Sequence, residues 1–267
     1  MKNSNLIIRC GTNDYEKYLG LVKGHIKTLL WDGKLFCILL LKDFFRVISF
    51  FDKKYLNSWK YLLENYHEES NKRVKLKNFG RFVFYLRNYD LFSLKEVFVD
   101  RDYSLLEEFL PKRNDIILDL GAGVGDYALF SSIRVGKRGK VISVEADPKT
   151  FQLLKKNIEE NKLKNVIPLN MFVSSEREHS IDFIVEKLRL RKVDLIKMDI
   201  EGEEYNALKG AIKTIRKFKP RIIIEIHSKE LRKKILNFLK KYGYDLVFEK
   251  EKKEHGFYLS YFKCIIS

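Results

Sequence analysis

From residue 115 onward the chain alternates short apolar runs with stretches whose apolar residues recur every three or four positions. IILDLG (116–121) predicts a first strand and residues 127–133 a helix. KVISVEA (140–146) predicts a second strand, and the helix after it has a clear start: Asp147 caps it, Pro148 takes the tolerated first position, and Phe151, Leu154 and Ile158 recur at helical spacing. VIPLNMFV (166–173) and VDLIKMDI (193–200) predict the third and fourth strands. Residues 203–216 read as one helix, with Leu208, Ile212 and Ile215 on one side, before Pro220 introduces a fifth strand, RIIIEIH. A helix over 229–242 and two last strands, near 245–251 and 258–266, complete the series. Alternation of this kind predicts an α/β fold, a mostly parallel sheet covered on both faces by helices, with sites at the carboxyl ends of the strands. Asp119, Glu145, Asp199 and His227 all fall at such ends, so they are expected to converge on one crevice.

The first hundred residues follow a different pattern. Aromatic and apolar residues over 31–51, then Tyr55, Trp59, Leu62 and Leu63, predict helices; HEESNKRVK (67–75) is polar and predicts a linker or turn; FGRFVFYLRN (79–88) reads as β. The expected organisation is a mainly helical extension over 1–75 and one larger domain over 76–267, the extension either shielding a sheet edge or selecting the substrate.

Composition narrows the class. With 267 residues, 45% apolar and 13% aromatic, the chain has enough apolar surface for one substantial core. The longest purely apolar run, 35–41, is broken by Lys42 and Asp43, well short of the roughly 18 to 20 residues that span a bilayer. The first 18 residues lack a signal-peptide pattern, and the three cysteines, Cys10, Cys37 and Cys264, are scattered, so a cytoplasmic protein with free thiols and no transmembrane segment is expected. The net charge of +16 raises nucleic acid or an anionic membrane surface as a partner. Basic residues are nevertheless spread over the outer faces of the predicted helices, Lys155, Lys156, Lys213, Arg216, Lys233 and Lys234 among them, a pattern that genome composition or high growth temperature also produces.

Chemistry concentrates in LDLGAGVGDY (118–127) and VISVEADP (141–148). The dinucleotide fingerprint is G-x-G-x-x-G; here the spacing is G-x-G-x-G, Gly121, Gly123 and Gly125, with Asp126 where the third dinucleotide glycine would lie. Asp119 just before the turn would repel a diphosphate but suits a ligand with an ammonium or sulfonium centre. S-adenosylmethionine carries both, and Glu145 is placed to accept from two ribose hydroxyls. A phosphate-binding or empty Rossmann-like turn is the alternative.

The last 170 or so residues resemble the FkbM family of S-adenosylmethionine-dependent methyltransferases, within the Rossmann-like class I methyltransferase fold. LKEVFVDRDY (94–103) looks like the family's entry segment, LDLGAGVGDY its cofactor loop and VEADP its acidic turn. The segment 179–211, which includes KMDIEGEE and LKG, is similar to the family's K-x-D-x-E-G-x-E element, and KPRIIIEIH (219–227) to its closing segment. The resemblance implies a seven-stranded, mostly parallel sheet with an antiparallel last strand, forming the cofactor-binding domain over 76–267. It implies that Asp119, Gly121, Ala122, Gly123 and Gly125 hold the methionine part of the cofactor, Glu145 and Ala146 the ribose side, and that Tyr103 and Tyr127 line the cofactor. An adenine pocket is expected near 170–173.

Methyl transfer from a sulfonium is an in-line displacement, and a hydroxyl acceptor also benefits from a base. Lys197, Asp199, Glu201, Glu204 and His227 are the candidates, with Lys197, Asp199, Glu201 and His227 assigned as catalytic; ion pairing is the alternative for Lys197, and a charged first turn for Glu204. Asp199, Glu201 and Glu204 also have oxygen donors for magnesium, but their spacing is not specific and no metal is assigned. No N-P-P-Y or D-P-P-Y element follows the fourth strand, no cysteine lies near the inferred site, and cysteines do not cluster. These gaps disfavour amino methylation, covalent cysteine chemistry and iron–sulfur radical chemistry. The expected activity is O-methylation of a sugar, glycolipid or small metabolite. An RNA methyltransferase is the competing reading, and a non-catalytic module on the same fold a third.

Overall fold

The computed structural model describes residues 6–8, 72–76, 82–87, 90–98, 100–252 and 256–265. The helices expected over 31–63, and Cys10 and Cys37, lie outside them. The chain divides into two compact units, 1–89 and 90–267. In the first, β1 (Leu6–Ile8), β2 (Lys72–Leu76) and β3 (Phe82–Leu86) form a sheet in which β2 lies parallel to β1 and antiparallel to β3. β3 falls where the β pattern predicts it. β2 occupies most of the end of the polar segment read as a linker, and its backbone is taken up by the ladder to β3.

The second unit begins with α1 (Asp90–Phe98). Its sheet contains β4 (Ile116–Leu120), β5 (Lys140–Glu145), β6 (Val166–Asn170), β7 (Leu195–Met198), β8 (Arg221–Ile226), β9 (Tyr244–Lys252) and β10 (Phe257–Cys264), in the order β6-β5-β4-β7-β8-β10-β9. β10 runs antiparallel to both its neighbours, while the pairs among β4 to β8 are parallel. This is the expected seven-stranded sheet with its antiparallel last strand. The strand order turns back at β4, whose neighbours are β5 on one side and β7 on the other, and such a switch point opens a crevice at the carboxyl ends of the strands.

Helices α2 (Asp126–Val135), α3 (Pro148–Glu160), α4 (Ile181–Lys187), α5 (Glu204–Lys209), α6 (Ile212–Phe218) and α7 (Lys229–Lys241) complete the unit. The cap read for α3 is present: the Asp147 carboxylate accepts from Thr150 N at 2.7 Å, with Pro148 at the first position. The single helix expected over 203–216 is instead α5 and α6, separated at Gly210, where a Cβ would stand 2.4 Å from the Ser174 carbonyl oxygen. The short α4, capped by Ser180, has no counterpart in the sequence reading. Among the described residues no helix is long and apolar enough to cross a membrane.

Alternation along the strands separates two chemistries. Leu118, Leu120, Ile142, Val144, Ile196, Met198, Ile222 and Ile224 form one apolar face, packed with Ile181, Leu208, Ile215, Ile235 and Leu239 from the helices. The opposite face carries Asp119, Ser143, Lys197 and Glu225, all nearly or fully buried. Asp119 is in register with both Ser143 and Lys197, and Lys197 with Ile223. Two residues further along, alternation brings Asp199 beside Glu225 on that same face. A polar stripe therefore crosses β5, β4, β7 and β8 toward the crevice.

Candidate functional site

The glycine turn rises from the end of β4 and is seated on its neighbours. Gly121 N and Ala122 N both donate to Val144 O at 2.9 Å, and Asp199 N donates to Leu120 O at 3.0 Å. Gly121 (φ +73°) has no room for a side chain, because a Cβ would lie 1.7 Å from Asp199 O. At Gly123 (φ +53°) a Cβ would meet nothing within 4 Å, so the turn presents open space on its outer side. Gly125 caps the start of α2, whose backbone N–H groups and dipole favour negative charge there.

Glu145, at the end of β5, is half-buried and binds the turn: Oε2 accepts from Gly123 N and Oε1 from Asp147 N, both at 2.9 Å. Burial pushes its carboxyl above the usual range, against those two hydrogen bonds. Each oxygen keeps lone pairs for a further donor. Ala122 is buried within the turn and Ala146 is exposed after Glu145. Asn170 donates to the carbonyl oxygens of Glu145 and Ala146, placing the end of β6 beside the acidic turn, and Phe172 is half exposed just beyond it. Replacing Glu145 with Ala is expected to weaken S-adenosylmethionine binding by roughly 10- to 100-fold, the loss of a charged acceptor worth about 1.5–3 kcal/mol; calorimetric titration of the variant measures it, and an unchanged affinity would remove Glu145 from the cofactor site.

Beneath the turn lies a buried ion cluster. Lys197 Nζ donates to Gly121 O at 2.8 Å and stands 3.5 Å from Asp119 and 3.8 Å from Asp199. Burial alone would lower the Lys197 pKa; the charges of Asp119, Asp199, Asp126 and Glu225 outweigh it and hold the ammonium charged. Asp119 is fully buried, and burial raises its carboxyl to about 6 even with Lys197 beside it. One of its oxygens, Oδ1, has no hydrogen-bond partner.

On the acceptor side, Asp199 and His227 are each about a quarter to a third exposed, whereas Glu225 is buried. Tyr103 Oη donates to Glu225 Oε1 at 2.5 Å and lies 3.3 Å from Asp199 Oδ2. The Tyr103 ring packs edge-on to Tyr127, with centroids 5.3 Å apart, and under the Lys197 ammonium. Both tyrosines are buried. Burial, followed by the charges of Asp199 and Glu96, raises Glu225 to about 8.

His227 Nδ1 is 2.6 Å from Glu204 Oε1, and Nε2 is 3.7 Å from Asp199 Oδ1. Burial lowers the His227 pKa, but the Glu204 hydrogen bond and charge reverse the shift, with Asp199 and Glu225 adding to it, so the net direction is upward. Glu204 is fully buried at the start of α5 and also accepts from Gly202 N at 2.9 Å. Glu201 is exposed in the turn between, where Glu201 (φ +48°) and Gly202 (φ +106°) are both left-handed.

The structure thus brings Asp119, Lys197, Asp199 and His227 together, with Tyr103 among them, and seats Glu145 across the glycine turn. Glu201 is set apart on the surface. Glu225 was not singled out from the sequence, where RIIIEIH reads as an apolar run; its signal is the i, i+2 spacing to His227, which puts both on one face.

Comparison with known proteins gives two partly overlapping matches. Residues 170–246 match the methyltransferase FkbM domain, and residues 108–202 the TRM5/TYW2 methyltransferase domain. A probable cobalt-precorrin-6B C(15)-methyltransferase (decarboxylating) of Sulfolobus acidocaldarius is 43% identical over 49 residues, 18% of this chain and 26% of that protein. The chain thus spans about a quarter of the length of that relative. The tRNA (adenine(57)-N(1)/adenine(58)-N(1))-methyltransferase TrmI of Methanocaldococcus jannaschii is 25% identical over 64% of this chain and 68% of its own. The hexuronic acid methyltransferase AglP of Haloferax volcanii is 25% identical over 54% of this chain and 72% of its own. Residues 108–246 are therefore similar to methyltransferase domains, the FkbM match lying over 170–246 and the TRM5/TYW2 match over 108–202.

Proposed function

We propose that the protein transfers the methyl group of S-adenosylmethionine to a hydroxyl of a sugar, glycolipid or small metabolite. The observation that carries this reading is the crevice itself, with a glycine turn and Glu145 on one side and the Asp199–His227–Glu204 array on the other. The cofactor fits the donor set. Glu145 has lone pairs for ribose hydroxyls, the open space over Gly123 leaves room above the turn, and Phe172 offers an apolar face for adenine. When bound, the cofactor supplies an electrophilic methyl on sulfur.

The chain's own residues then have distinct tasks. Lys197 fixes the glycine turn through Gly121 O and stands between the carboxylates of Asp119 and Asp199. Asp199 orients the acceptor hydroxyl. His227 takes its proton at Nε2, and Glu204, on Nδ1, holds the ring and stabilises the imidazolium that forms. Tyr103 fixes Asp199 from behind. Sheet-borne groups need little reorganisation, which favours holding nucleophile, methyl and sulfur in line.

Asp199→Asn and His227→Ala are expected to retain cofactor affinity within about fivefold and to lower kcat by about 10²–10⁴; equal loss of affinity and turnover would overturn their assignment to the acceptor side. Titration with S-adenosylmethionine and S-adenosylhomocysteine, with NAD as control, tests the cofactor. Micromolar binding of both sulfur ligands and none of NAD is expected, and preference for NAD would refute the reading.

The match to the hexuronic acid methyltransferase supports a sugar acid as acceptor. The TRM5/TYW2 match, the TrmI relative and the charge of +16 favour tRNA as a second reading. Submicromolar tRNA binding with a steep salt dependence would select it, and methyl incorporation into a hexuronic acid glycoside would select the first.

A further inference from the structure

We infer that Asp199, Glu225 and His227 form a divalent-cation site on the acceptor side of the crevice. One donor atom from each lies within 4.8 Å of the other two, and an ion about 2.1 Å from each ligand would draw them in to roughly 3–4 Å of one another. The three donors come from the carboxyl ends of β7 and β8, adjacent parallel strands whose register fixes them relative to one another. They are not a loose acidic surface group, since Glu225 is buried and Asp199 and His227 are mostly covered.

A separate observation concerns the imidazole. A histidine that binds a metal through one ring nitrogen usually donates the other N–H to a carboxylate, which fixes its tautomer and orientation. Glu204, outside the triad, is fully buried 2.6 Å from His227 Nδ1, leaving Nε2 directed to Asp199. Glu204 Oε2 is buried with no hydrogen-bond partner. A dication would sit between Asp199, Glu225 and Nε2, with Glu204 behind the imidazole ring. Two carboxylates and one imidazole suit manganese or magnesium, with the remaining positions open to the crevice through the exposed edges of Asp199 and His227.

The inference rests on the hydroxyl-transfer reading and changes one step of it. With Nε2 on the ion, the acceptor hydroxyl binds the ion and gives its proton to water. Its oxygen lone pair forms the O–CH₃ bond as the S–CH₃ bond breaks, and S-adenosylhomocysteine leaves with that electron pair; nothing is oxidised or reduced.

The test is titration of the chelator-stripped 267-residue chain with manganese(II) chloride, followed by electron paramagnetic resonance of the free ion, for the parent, Glu225→Gln and His227→Ala. S-adenosylhomocysteine binding is measured on the same samples as a check on folding. The expected result is about one manganese per chain, weakened at least tenfold in both variants, with S-adenosylhomocysteine affinity kept in all three. Protein that binds S-adenosylhomocysteine but not manganese, or variants that bind manganese as tightly as the parent, would overturn the cation site and leave His227 as the base. Failure to bind S-adenosylhomocysteine overturns the methyl-transfer reading, and with it the role given to the ion.

Discussion

Gly121→Ala is expected to abolish measurable cofactor binding and to cost at least about 4 kcal/mol of stability, at the severe end of single substitutions. The added Cβ would lie 1.7 Å from the carbonyl oxygen of Asp199 and 2.7 Å from its carbon, both backbone atoms that no rotamer change can move. Neither side can retreat. Gly121 N is bonded to Val144 O, and Asp199 N to Leu120 O, so the clash would open the β4–β7 ladder at the switch point. The left-handed backbone at φ +73° adds about 1 kcal/mol for any residue with a Cβ. Gly123→Ala separates the two effects. Its backbone is also left-handed, at φ +53°, but its Cβ points into open space. That variant is expected to fold, losing about 1 kcal/mol, and to bind S-adenosylmethionine more weakly because the methyl fills the space over the turn. Urea unfolding and calorimetry on both variants give the comparison. Equal stability of the two would mean that the turn is not seated on β7 as described.

Lys197→Met is expected to destabilise the chain by about 3–5 kcal/mol, because it leaves buried carboxylates without their cation. Lys197 is 3% exposed and is the ammonium next to fully buried Asp119. The loss depends on pH with a definite sign. The folded-state pKa of Asp119, about 6, is above its ordinary 3.8, so the folded chain holds that proton more tightly, and the group's contribution to stability fades as pH rises through this window. Lys197 acts to lower the Asp119 value, and removing it widens the window upward. The destabilisation is therefore expected to be larger at pH 8 than at pH 5.5. Asp119→Asn in the same chain is expected to recover at least about 1 kcal/mol, as coupled neighbours do. Denaturant unfolding at the two pH values measures this, and a pH-independent loss would show that the ammonium contributes through packing alone.

The parallel sheet was legible because each strand is an apolar run closed by turn chemistry. The start of α3 was legible because Asp147 and Pro148 are strong local signals. The break between α5 and α6 was not. Leu208, Ile212 and Ile215 keep helical spacing across Gly210, and the reason for the break is a long-range approach of Ser174 that no local pattern records. At the site, the carboxylates at strand ends could be read one by one, as could Lys197 on the face of Asp199. What each touches depends on the register between strands, which the chain does not write locally. Glu225 was lost among isoleucines for that reason, and Glu204, seen as a charged first turn, is instead fully buried against His227.

One feature of the sheet bears on how the molecule meets its copies. Among the described residues β9 is an outermost strand, and one row of its backbone N–H and C=O groups has no partner among the described strands. Such a row is a template for strand addition, the first step of edge-to-edge aggregation. The end of β9 alternates Glu249, Lys250, Glu251 and Lys252, with Lys250 and Lys252 anchored on buried Asp102 and Arg232 on Glu249. A second chain pairing there would have to desolvate these ions or break them from their partners. The same charges that tie β9 to the body of the domain thus guard its open edge against self-association.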